Sequence, residues 1–100
     1  MSITKQMKPF TEQEVDKSPE SQGVYCLYDG NSTPIYYGRS ETSIRARLQR
    51  HFSGAEGPCT EGASDFNWEL TNNPKSREEE LMKEHKRAFG RLPKCNDVGA

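Results

Sequence analysis

The side chains best suited to chemistry lie between residues 23 and 51 of this 100-residue chain. Tyr25 and Tyr36 occur in separate runs of strand-forming residues, and Arg47 and His51 follow at a spacing of four. The forked donors of arginine match phosphate oxygens, and phenol and imidazole groups can orient or move a proton. This combination predicts a site for a phosphodiester.

The two tyrosines belong to runs that predict a β-hairpin around a polar turn. A two-residue loop at positions 30–31 would pair Tyr25 directly with Tyr36 and put both phenols on one face. A loop one residue longer would pair Tyr25 with Tyr37 instead, so the sequence leaves the register open. Taken alone, two tyrosines in neighbouring strands are more often ordinary sheet packing than a site.

A helix is predicted to follow the hairpin and to run to about Phe52, with Ser40 or Thr42 as its cap. Ile44, Leu48 and Phe52 recur at intervals of four and predict its buried stripe. The helix therefore has one face that must pack against the sheet.

Arg47 and His51 form a column at the edge of that stripe, between the core and the open face. Residues 39–51 hold five basic side chains against one acid, if His51 is counted with the four arginines. Such a patch suits the phosphates of DNA, although a cationic helix face is more often simply solvated. The arginines predicted to contact DNA are Arg39, Arg45 and Arg50.

Residues 66–70 alternate apolar and polar side chains and predict a third strand. The side chains expected to face the core are Phe66, Trp68 and Leu70. The glycine-rich stretch 54–62 is predicted to be a mobile loop. Residues 1–22 are expected to pack on the core as an N-terminal extension, with a short helical turn capped by Thr11.

A capping box at residues 76–79 predicts the start of a second helix, which Gly90 and Pro93 end. His85 lies within the apolar stripe of this helix and is expected to pack there. We therefore expect a small α/β (α+β) domain with a three-stranded, mainly antiparallel sheet flanked by helices.

The composition constrains the function loosely. A net charge of −1 gives no overall attraction to nucleic acid, so DNA binding would need a local patch. No run is long enough to span a membrane and no signal peptide opens the chain, so we expect an intracellular, cytoplasmic protein. The cysteines are odd in number and lack pair spacing, which predicts thiols and not disulfides at Cys26, Cys59 and Cys95.

Taken in order, these motifs resemble the GIY-YIG nuclease domain family. Gly-Val-Tyr at 23–25 and Tyr-Tyr-Gly at 36–38 stand for the two motifs that name it, and 47–51 is similar to its Arg-x-x-x-His helix. Pro-Lys-Cys-Asn at 93–96 fits its closing asparagine motif. The resemblance covers about residues 20–97, with 23–97 as the nuclease-like domain. The sequence departs from the family pattern in two ways. Tyr37 stands where Ile or Val is usual, and the separation from Tyr36 to Arg47 is one residue longer than usual.

The resemblance implies hydrolysis of DNA phosphodiester bonds by water with a divalent metal, Mg²⁺ foremost and Mn²⁺ as an alternative. The family places its metal on a glutamate of the later helix. In its repair-nuclease branch that glutamate lies twelve residues before the asparagine, which selects Glu84 relative to Asn96. Glu80 and Glu78 remain as alternatives.

The resemblance also implies a role for each remaining side chain. Arg47 would hold the scissile phosphate, and Tyr36 would orient or deprotonate the attacking water. Tyr25 would support the water or phosphate, and His51 would relay a proton or contact phosphate. Asn96 would fix the geometry of the site.

DNA is the implied partner, and no membrane is expected. Specificity would come from the loops of the domain, chiefly 53–65, or from a homodimer or a protein partner. The alternative is a catalytically inactive DNA-binding or protein-interaction module on the same fold.

Overall fold

The computed structural model describes residues 3–96. Four strands form one antiparallel sheet in the order β1-β4-β2-β3. This confirms the predicted α+β domain but adds a strand to the three expected. In chain order the elements are β1 (Lys8–Pro9), α1 (Glu12–Asp16), β2 (Gly23–Tyr28), β3 (Pro34–Ser40), α2 (Ile44–Phe52), α3 (Pro58–Glu61), β4 (Asp65–Leu70) and α4 (Pro74–Phe89).

The extra strand comes from the segment that was expected only to pack on the core. β1 pairs with β4, with Lys8 opposite Phe66. The predicted turn follows as α1, where the side chain of Thr11 accepts a hydrogen bond from the Glu14 amide at 3.2 Å. Phe10 and Val15 are both buried in the core. The division of the chain at residue 23 stays a prediction, although these residues are part of the sheet and core.

Strand β2 is central, with β4 on one side and β3 on the other, and all six of its residues are buried. Its alternate side chains enter two separate clusters, one on each face of the sheet. Tyr25 and Leu27 join the cluster that includes Ile44 and Leu48 of α2. The opposite cluster includes Leu81 of α4. The helices therefore cover both faces of the central strand.

The β2–β3 register differs from both pairings considered from the sequence. Tyr25 lies opposite Gly38, and Tyr36 lies opposite Leu27. Because alternate residues share a face, Tyr25 and Tyr36 still project from the same side, as diagonal neighbours. The predicted direct pairings of Tyr25 with Tyr36 or Tyr37 are wrong, but the tyrosines remain adjacent.

The loop between the strands explains this register. The Asp29 amide donates to the Thr33 carbonyl at 3.0 Å, so the loop is longer than two residues. The Asp29 carboxylate accepts from the amides of Asn31 at 2.8 Å and Thr33 at 3.0 Å. Ser32 takes a φ of 62° to close the turn. A carboxylate that satisfies the loop amides thus stabilises a wider turn with a strand irregularity after Leu27.

Helix α2 is capped by a residue that the sequence reasoning passed over. The side chain of Ser43 accepts a hydrogen bond from the Ala46 amide at 3.1 Å, and the helix ends at Phe52 as predicted. Ser40 instead accepts from the Ser43 amide at 2.8 Å in the turn before the helix. Ile44 and Leu48 are buried, but Phe52 is 37% exposed.

The other predicted boundaries are partly right. Helix α4 begins at Pro74 with Asn73 as its cap, so the capping box at 76–79 does not start it. Gly90 ends it with a φ of 79°, as predicted. In β4 only Phe66 of the three expected core residues is fully buried, and Leu70 is 53% exposed.

A disulfide joins two of the three cysteines. Cys59 in α3 and Cys95 in the tail are 36 residues apart in sequence, and the fold brings their Cα atoms to 5.7 Å. The prediction of thiols is therefore wrong for this pair, and only Cys26 is a free, buried thiol. The stretch expected to be a mobile loop contains α3 and is anchored by this bond.

Within residues 3–96 no helix is long and apolar enough to cross a membrane.

The packing of Tyr25 over Gly38 gives a testable prediction. A Cβ built on Gly38 would overlap the Cζ and hydroxyl atoms of Tyr25 and lie 2.8 Å from Cε2 of Tyr36. Because Tyr25 is held on all sides, Gly38→Ala should lower the free energy of unfolding by about 1–3 kcal/mol, measured by urea denaturation.

Gly62→Ala is the matched control, because its φ is −86° and its nearest neighbour would be 4.0 Å from the new Cβ. It should change the free energy of unfolding by less than about 0.5 kcal/mol. Equal effects of the two substitutions would contradict the close approach at Gly38.

Candidate active site

His51 joins the two tyrosines of the hairpin to helix α2. Its Nε2 lies 2.8 Å from the hydroxyl of Tyr25 in a buried hydrogen bond. Its ring also packs on Tyr36, with centroids 4.8 Å apart, and the two tyrosine rings are 6.2 Å apart. The structure thus brings Tyr25, Tyr36 and His51 together.

Thr60 completes this arrangement from the other side. Its hydroxyl lies 2.8 Å from Nδ1 of His51, so both ring nitrogens of the histidine have a partner. Thr60 belongs to α3, inside the stretch expected to be a mobile loop. Sequence reasoning missed it, because a threonine in a glycine-rich stretch carries no spacing signal toward a histidine in another helix.

Burial controls the protonation of these groups. Loss of solvent around His51 lowers its pKa to about 4, so the ring is neutral near pH 7. Burial also raises the pKa of the Tyr25 phenol, and the neighbouring Tyr36 raises it further. The hydrogen-bonded chain Tyr25–His51–Thr60 is therefore neutral throughout.

Tyr36 is the tyrosine that reaches the surface. Burial raises the pKa of its phenol, the guanidinium of Arg47 lowers it and the carboxylate of Glu78 raises it. The hydroxyl is therefore protonated at neutral pH, and its acidity is sensitive to the charges beside it.

Arg47 is half-buried at the edge of the core, as its position on α2 predicts. Burial lowers its pKa, but the neighbouring Tyr25 and Glu56 outweigh that effect and the pKa lies above its ordinary value. Its Nε is buried and has no hydrogen-bond partner among residues 3–96. A buried guanidinium nitrogen without a partner is suited to an acceptor supplied by a ligand.

Tyr36 and Arg47 open into one surface groove of about 410 Å³. This catalytic groove, as we call it, lies between the end of β3, the start of α2 and the first turns of α4. It contains a phenol, two guanidinium groups and two carboxylates. The residues that line it are Tyr36, Arg39, Ser40, Glu41, Thr42, Arg47 and Glu78.

The glutamate in this groove is Glu78. Glu84 lines a different groove on α4, together with Glu80. Glu84 lies six positions after Glu78 in the helix, which amounts to about 9 Å along the axis and a large rotation around it. The structure therefore does not place Glu84, which the spacing from Asn96 selects, in the groove with Tyr36 and Arg47. Glu78 was one of the two alternatives.

Arg39 holds the Glu78 side chain. Its Nη1 donates to Oε1 of Glu78 at 2.6 Å, and its Nε lies 3.5 Å from Glu41. The side chain of Glu78 is 19% exposed, so this carboxylate is largely enclosed. A positive charge therefore already occupies one oxygen of the carboxylate.

The remaining arginines expected to contact DNA are also paired with acids. Arg45 donates to the Ser18 carbonyl at 2.8 Å and lies 3.2 Å from Glu20. Arg50 donates to Glu56 at 2.6 Å. The basic patch of the sequence is thus neutralised in large part by carboxylates from neighbouring segments.

Asn96 lies on the backbone of β3 and not in the groove. Its side-chain oxygen accepts from the Tyr37 amide at 2.9 Å, and its side-chain nitrogen donates to the Tyr37 carbonyl at 3.0 Å. The preceding amide of Cys95 donates to the Ile35 carbonyl at 2.8 Å. The tail therefore binds the outer edge of β3 and holds the strand that carries Tyr36.

The side chains in this groove suit a hard cation that keeps most of its bound waters, and not a cation that is held entirely by protein atoms. In the described part of the chain no cluster of three or more His, Cys, Asp or Glu side chains could hold a metal. Mg²⁺ retains most of its waters and needs few protein oxygens, so the single Glu78 carboxylate suffices. The Arg39 guanidinium on that carboxylate shows that a positive charge is accommodated there.

Sequence comparisons give two matches. The model of a family described as "Domain of unknown function (DUF7508)" matches residues 1–88. UvrABC system protein C from Moorella thermoacetica is 33% identical over 66 residues, which is 62% of this chain and 11% of that protein. The chain thus corresponds to a small part of that relative.

Structure comparisons identify the fold. The GIY-YIG N-terminal endonuclease domain of UvrC from Thermotoga maritima, bound to magnesium as its catalytic cation, matches with a TM-score of 0.67 and 21% identity. The match covers 84% of this chain and 92% of that one. An asparagine-to-alanine mutant of that domain matches with a TM-score of 0.63 at 20% identity, covering 83% and 90%. The chain therefore has the GIY-YIG fold.

The burial of His51 predicts a pH-dependent contribution to stability. In the unfolded chain the ring takes up a proton as the pH falls below about 6.5, whereas in the folded protein it does so only near 4. The contribution is therefore fully present above about pH 6.5 and is lost as the pH falls toward 4.

The wild-type protein should thus lose up to about 3 kcal/mol more free energy of unfolding than His51→Gln between about pH 7 and pH 4. Urea denaturation at several pH values measures this difference, and the carboxylates common to both proteins cancel. A gap between the two proteins that does not change with pH would show that His51 titrates normally.

Proposed function

We propose that this chain, which belongs to the DUF7508 family and has the GIY-YIG fold, is a metal-dependent endonuclease that hydrolyses DNA phosphodiester bonds with water. The observation that carries this proposal is the catalytic groove, where Tyr36, Arg47 and Glu78 meet. These side chains are of the types needed to orient water, bind a phosphate and hold a cation. The solved relative that shares this fold is an endonuclease domain with a catalytic magnesium ion.

Glu78 is the proposed metal ligand, in place of Glu84. When bound there, Mg²⁺ would supply positive charge to stabilise the phosphate as negative charge builds on its oxygens. Mn²⁺ is expected to substitute for it, since both accept oxygen ligands in similar geometry.

Arg47 is proposed to bind the scissile phosphate. Its charge is maintained despite partial burial, and its buried Nε has no partner among residues 3–96. A phosphate oxygen would satisfy that donor, and a preorganised cation stabilises the transition state more than the ground state. Arg47 is therefore the main protein group acting on the phosphate.

Tyr36 is proposed to orient the attacking water through its phenol. Burial raises its pKa, so the protonated form is the resting state. Arg47 lowers this pKa and Glu78 raises it, so neutralisation of the Glu78 carboxylate makes the phenol a stronger acid. A lower pKa makes it easier for the phenol to lose its proton, and the phenolate so formed could take a proton from the attacking water.

Tyr25 and His51 are proposed to support Tyr36 from the interior. Both are fully buried, so neither can reach a DNA strand directly. His51 packs on the Tyr36 ring and bonds the Tyr25 hydroxyl, which sets the position of both phenols. Asn96 is proposed to act in the same way through the backbone of β3.

A binding module without turnover is the second candidate. The observation that favours it is the Arg39–Glu78 ion pair, because a guanidinium already occupies one oxygen of the carboxylate that a metal would need. In either case we propose that the chain acts on DNA inside the cell, alone, as a homodimer or with a protein partner that supplies specificity.

A DNA cleavage assay distinguishes the nuclease from the binding module and tests which glutamate is the metal ligand. With Mg²⁺ and supercoiled, duplex, branched or single-stranded DNA, Glu78→Gln should reduce cleavage by at least about 10²-fold, because the amide cannot replace a metal-binding carboxylate. Glu84→Gln is the matched control on the same helix and should leave cleavage within a few-fold of wild type. Gel analysis of nicked products measures both.

Loss of cleavage in Glu84→Gln with retention in Glu78→Gln would reverse the assignment. Absence of cleavage by the wild-type protein on every DNA form, with either metal, would reject the nuclease in favour of the binding module.

The Arg39–Glu78 ion pair predicts competition with the metal. Arg39→Gln removes the cation from the carboxylate and should increase the affinity for Mn²⁺ about three- to tenfold, without DNA present. The paramagnetic resonance signal of free Mn²⁺ measures this directly. Arg45→Gln is the control, because Arg45 pairs with Glu20 outside the groove. Unchanged or weaker Mn²⁺ binding in Arg39→Gln would show that the ion pair does not compete.

A further inference from the structure

The outer end of β4 carries apolar side chains that are partly exposed. Trp68 is only partly buried and Leu70 is 53% exposed, although the alternation of β4 predicts both in the core. Trp68 lies opposite Tyr25 in the β2–β4 register, so it projects from the same face of the sheet as the tyrosines. The exposed aromatic surface is therefore on the catalytic side of the molecule.

Lysines surround this tryptophan. A groove of about 480 Å³ beside it is lined by Lys5, Lys8 and Lys17, and Nζ of Lys5 lies 4.3 Å from the Trp68 ring centroid. The one carboxylate in this groove is Glu14, which lies 3.5 Å from Nζ of Lys17. Lys5 and Lys8 have no ion-pair partner in the described part of the chain. In contrast to the paired arginines near the catalytic groove, this surface keeps an excess of positive charge.

Two further grooves lie between this lysine groove and the catalytic groove, and each shares a lining residue with the next. Adjoining grooves share wall residues: Glu41 joins the catalytic groove to a second one, and Leu70 joins that one to a third. Lys5 and Trp68 then form the wall common to the third groove and the lysine groove. A path along these grooves passes around the start of α2 and along the exposed end of β4.

The chemistry along the path suits a nucleic-acid strand. Its middle section is lined by polar, uncharged side chains of the kind that contact sugar and phosphate, namely Ser21, Gln22, Thr71 and Asn72. The carboxylates on it lie beside arginines, Glu41 at 3.5 Å from Arg39 and Glu69 at 2.6 Å from Arg77, although each arginine also pairs with a second acid. Repulsion of phosphates along the path is thereby reduced.

We propose that a single-stranded segment of DNA leaves the catalytic groove along this path and binds at Trp68 and the lysine groove. The proposal rests on the proposed function, since it takes the groove at Tyr36 as the point of cleavage. An unpaired base stacks on Trp68 and displaces the Lys5 ammonium, which then contacts a phosphate together with Lys8. Aromatic stacking combined with a basic groove is the usual way to hold a strand without reading its sequence.

The distances are compatible with a short strand. Trp68 and Tyr36 lie on strands separated by β2, so their backbones are about 10 Å apart across the sheet. A path around α2 is longer than this direct line, and a segment of about four to eight nucleotides could follow it. The lysine groove would then supply the affinity that the paired arginines near the catalytic groove lack.

Trp68 is the only tryptophan of the chain, so its fluorescence reports directly on the site. In the Glu78→Gln background and without metal, oligothymidylate of about 16 nucleotides should quench this fluorescence in a salt-dependent manner. A duplex of the same length should quench it much less, because paired bases cannot stack on the ring. Binding of a labelled oligonucleotide, followed by anisotropy, gives the affinity independently.

Matched double substitutions test the lysines. Lys5→Gln with Lys8→Gln should weaken binding about tenfold or more at low salt and reduce the salt slope by about 1.4, as expected for two phosphate contacts with a single strand. Arg45→Gln with Arg50→Gln removes the same charge from paired arginines and should have a much smaller effect. Trp68→Leu should weaken binding about tenfold, and Trp68→Phe should retain most of it.

Three results would overturn the proposal. They are binding seen by anisotropy with no change in Trp68 fluorescence, equal quenching by the duplex, and equal losses from the lysine and arginine double substitutions. Cleavage that depends on Glu78 but occurs without a Trp68 signal would reject the path and leave the nuclease standing. Quenching by single-stranded DNA without cleavage would reject the nuclease and leave a single-strand binding surface.

Discussion

The buried hydrogen-bonded chain Tyr25–His51–Thr60 is the interaction on which the site depends. It joins β2, α2 and α3 through the two ring nitrogens of one histidine. Because His51 is fully buried, loss of either partner would leave a polar nitrogen without a hydrogen bond, at a cost of about 1–3 kcal/mol. The position of Tyr36, which packs on the same ring, follows from this constraint.

The disulfide joins two segments that hold the candidate site in place. Cys59 directly precedes Thr60, which bonds His51, and Cys95 directly precedes Asn96, which holds Tyr37. One covalent bond therefore links the element that supports His51 to the tail that binds the edge of β3 beside Tyr36. Since the tail has few other anchors in regular structure, this link helps to hold the closing asparagine against β3.

The net charge of the chain does not show where its positive charges lie. The arginines around α2 form ion pairs with acids, whereas lysines on both sides of α1 lie beside the partly buried Trp68. A side chain already engaged in an ion pair must exchange partners before it can bind a phosphate, which reduces its net contribution. The catalytic groove therefore offers one well-placed guanidinium, Arg47, and the excess positive charge lies elsewhere.

The sequence by itself determined the fold class, the hairpin and helix α2 with its end at Phe52, because local periodicity predicts these elements. The order of the motifs also predicted that Tyr25, Tyr36, Arg47 and His51 would lie close together. The hairpin register became clear only in the structure, where the Asp29 carboxylate accepts hydrogen bonds from amides of its own loop. The tertiary structure also decided which glutamate joins Arg47, since Glu78 and Glu84 lie on different sides of one helix. The sequence also could not predict the Thr60 contact or the disulfide, because each joins residues of separate segments that only packing brings together.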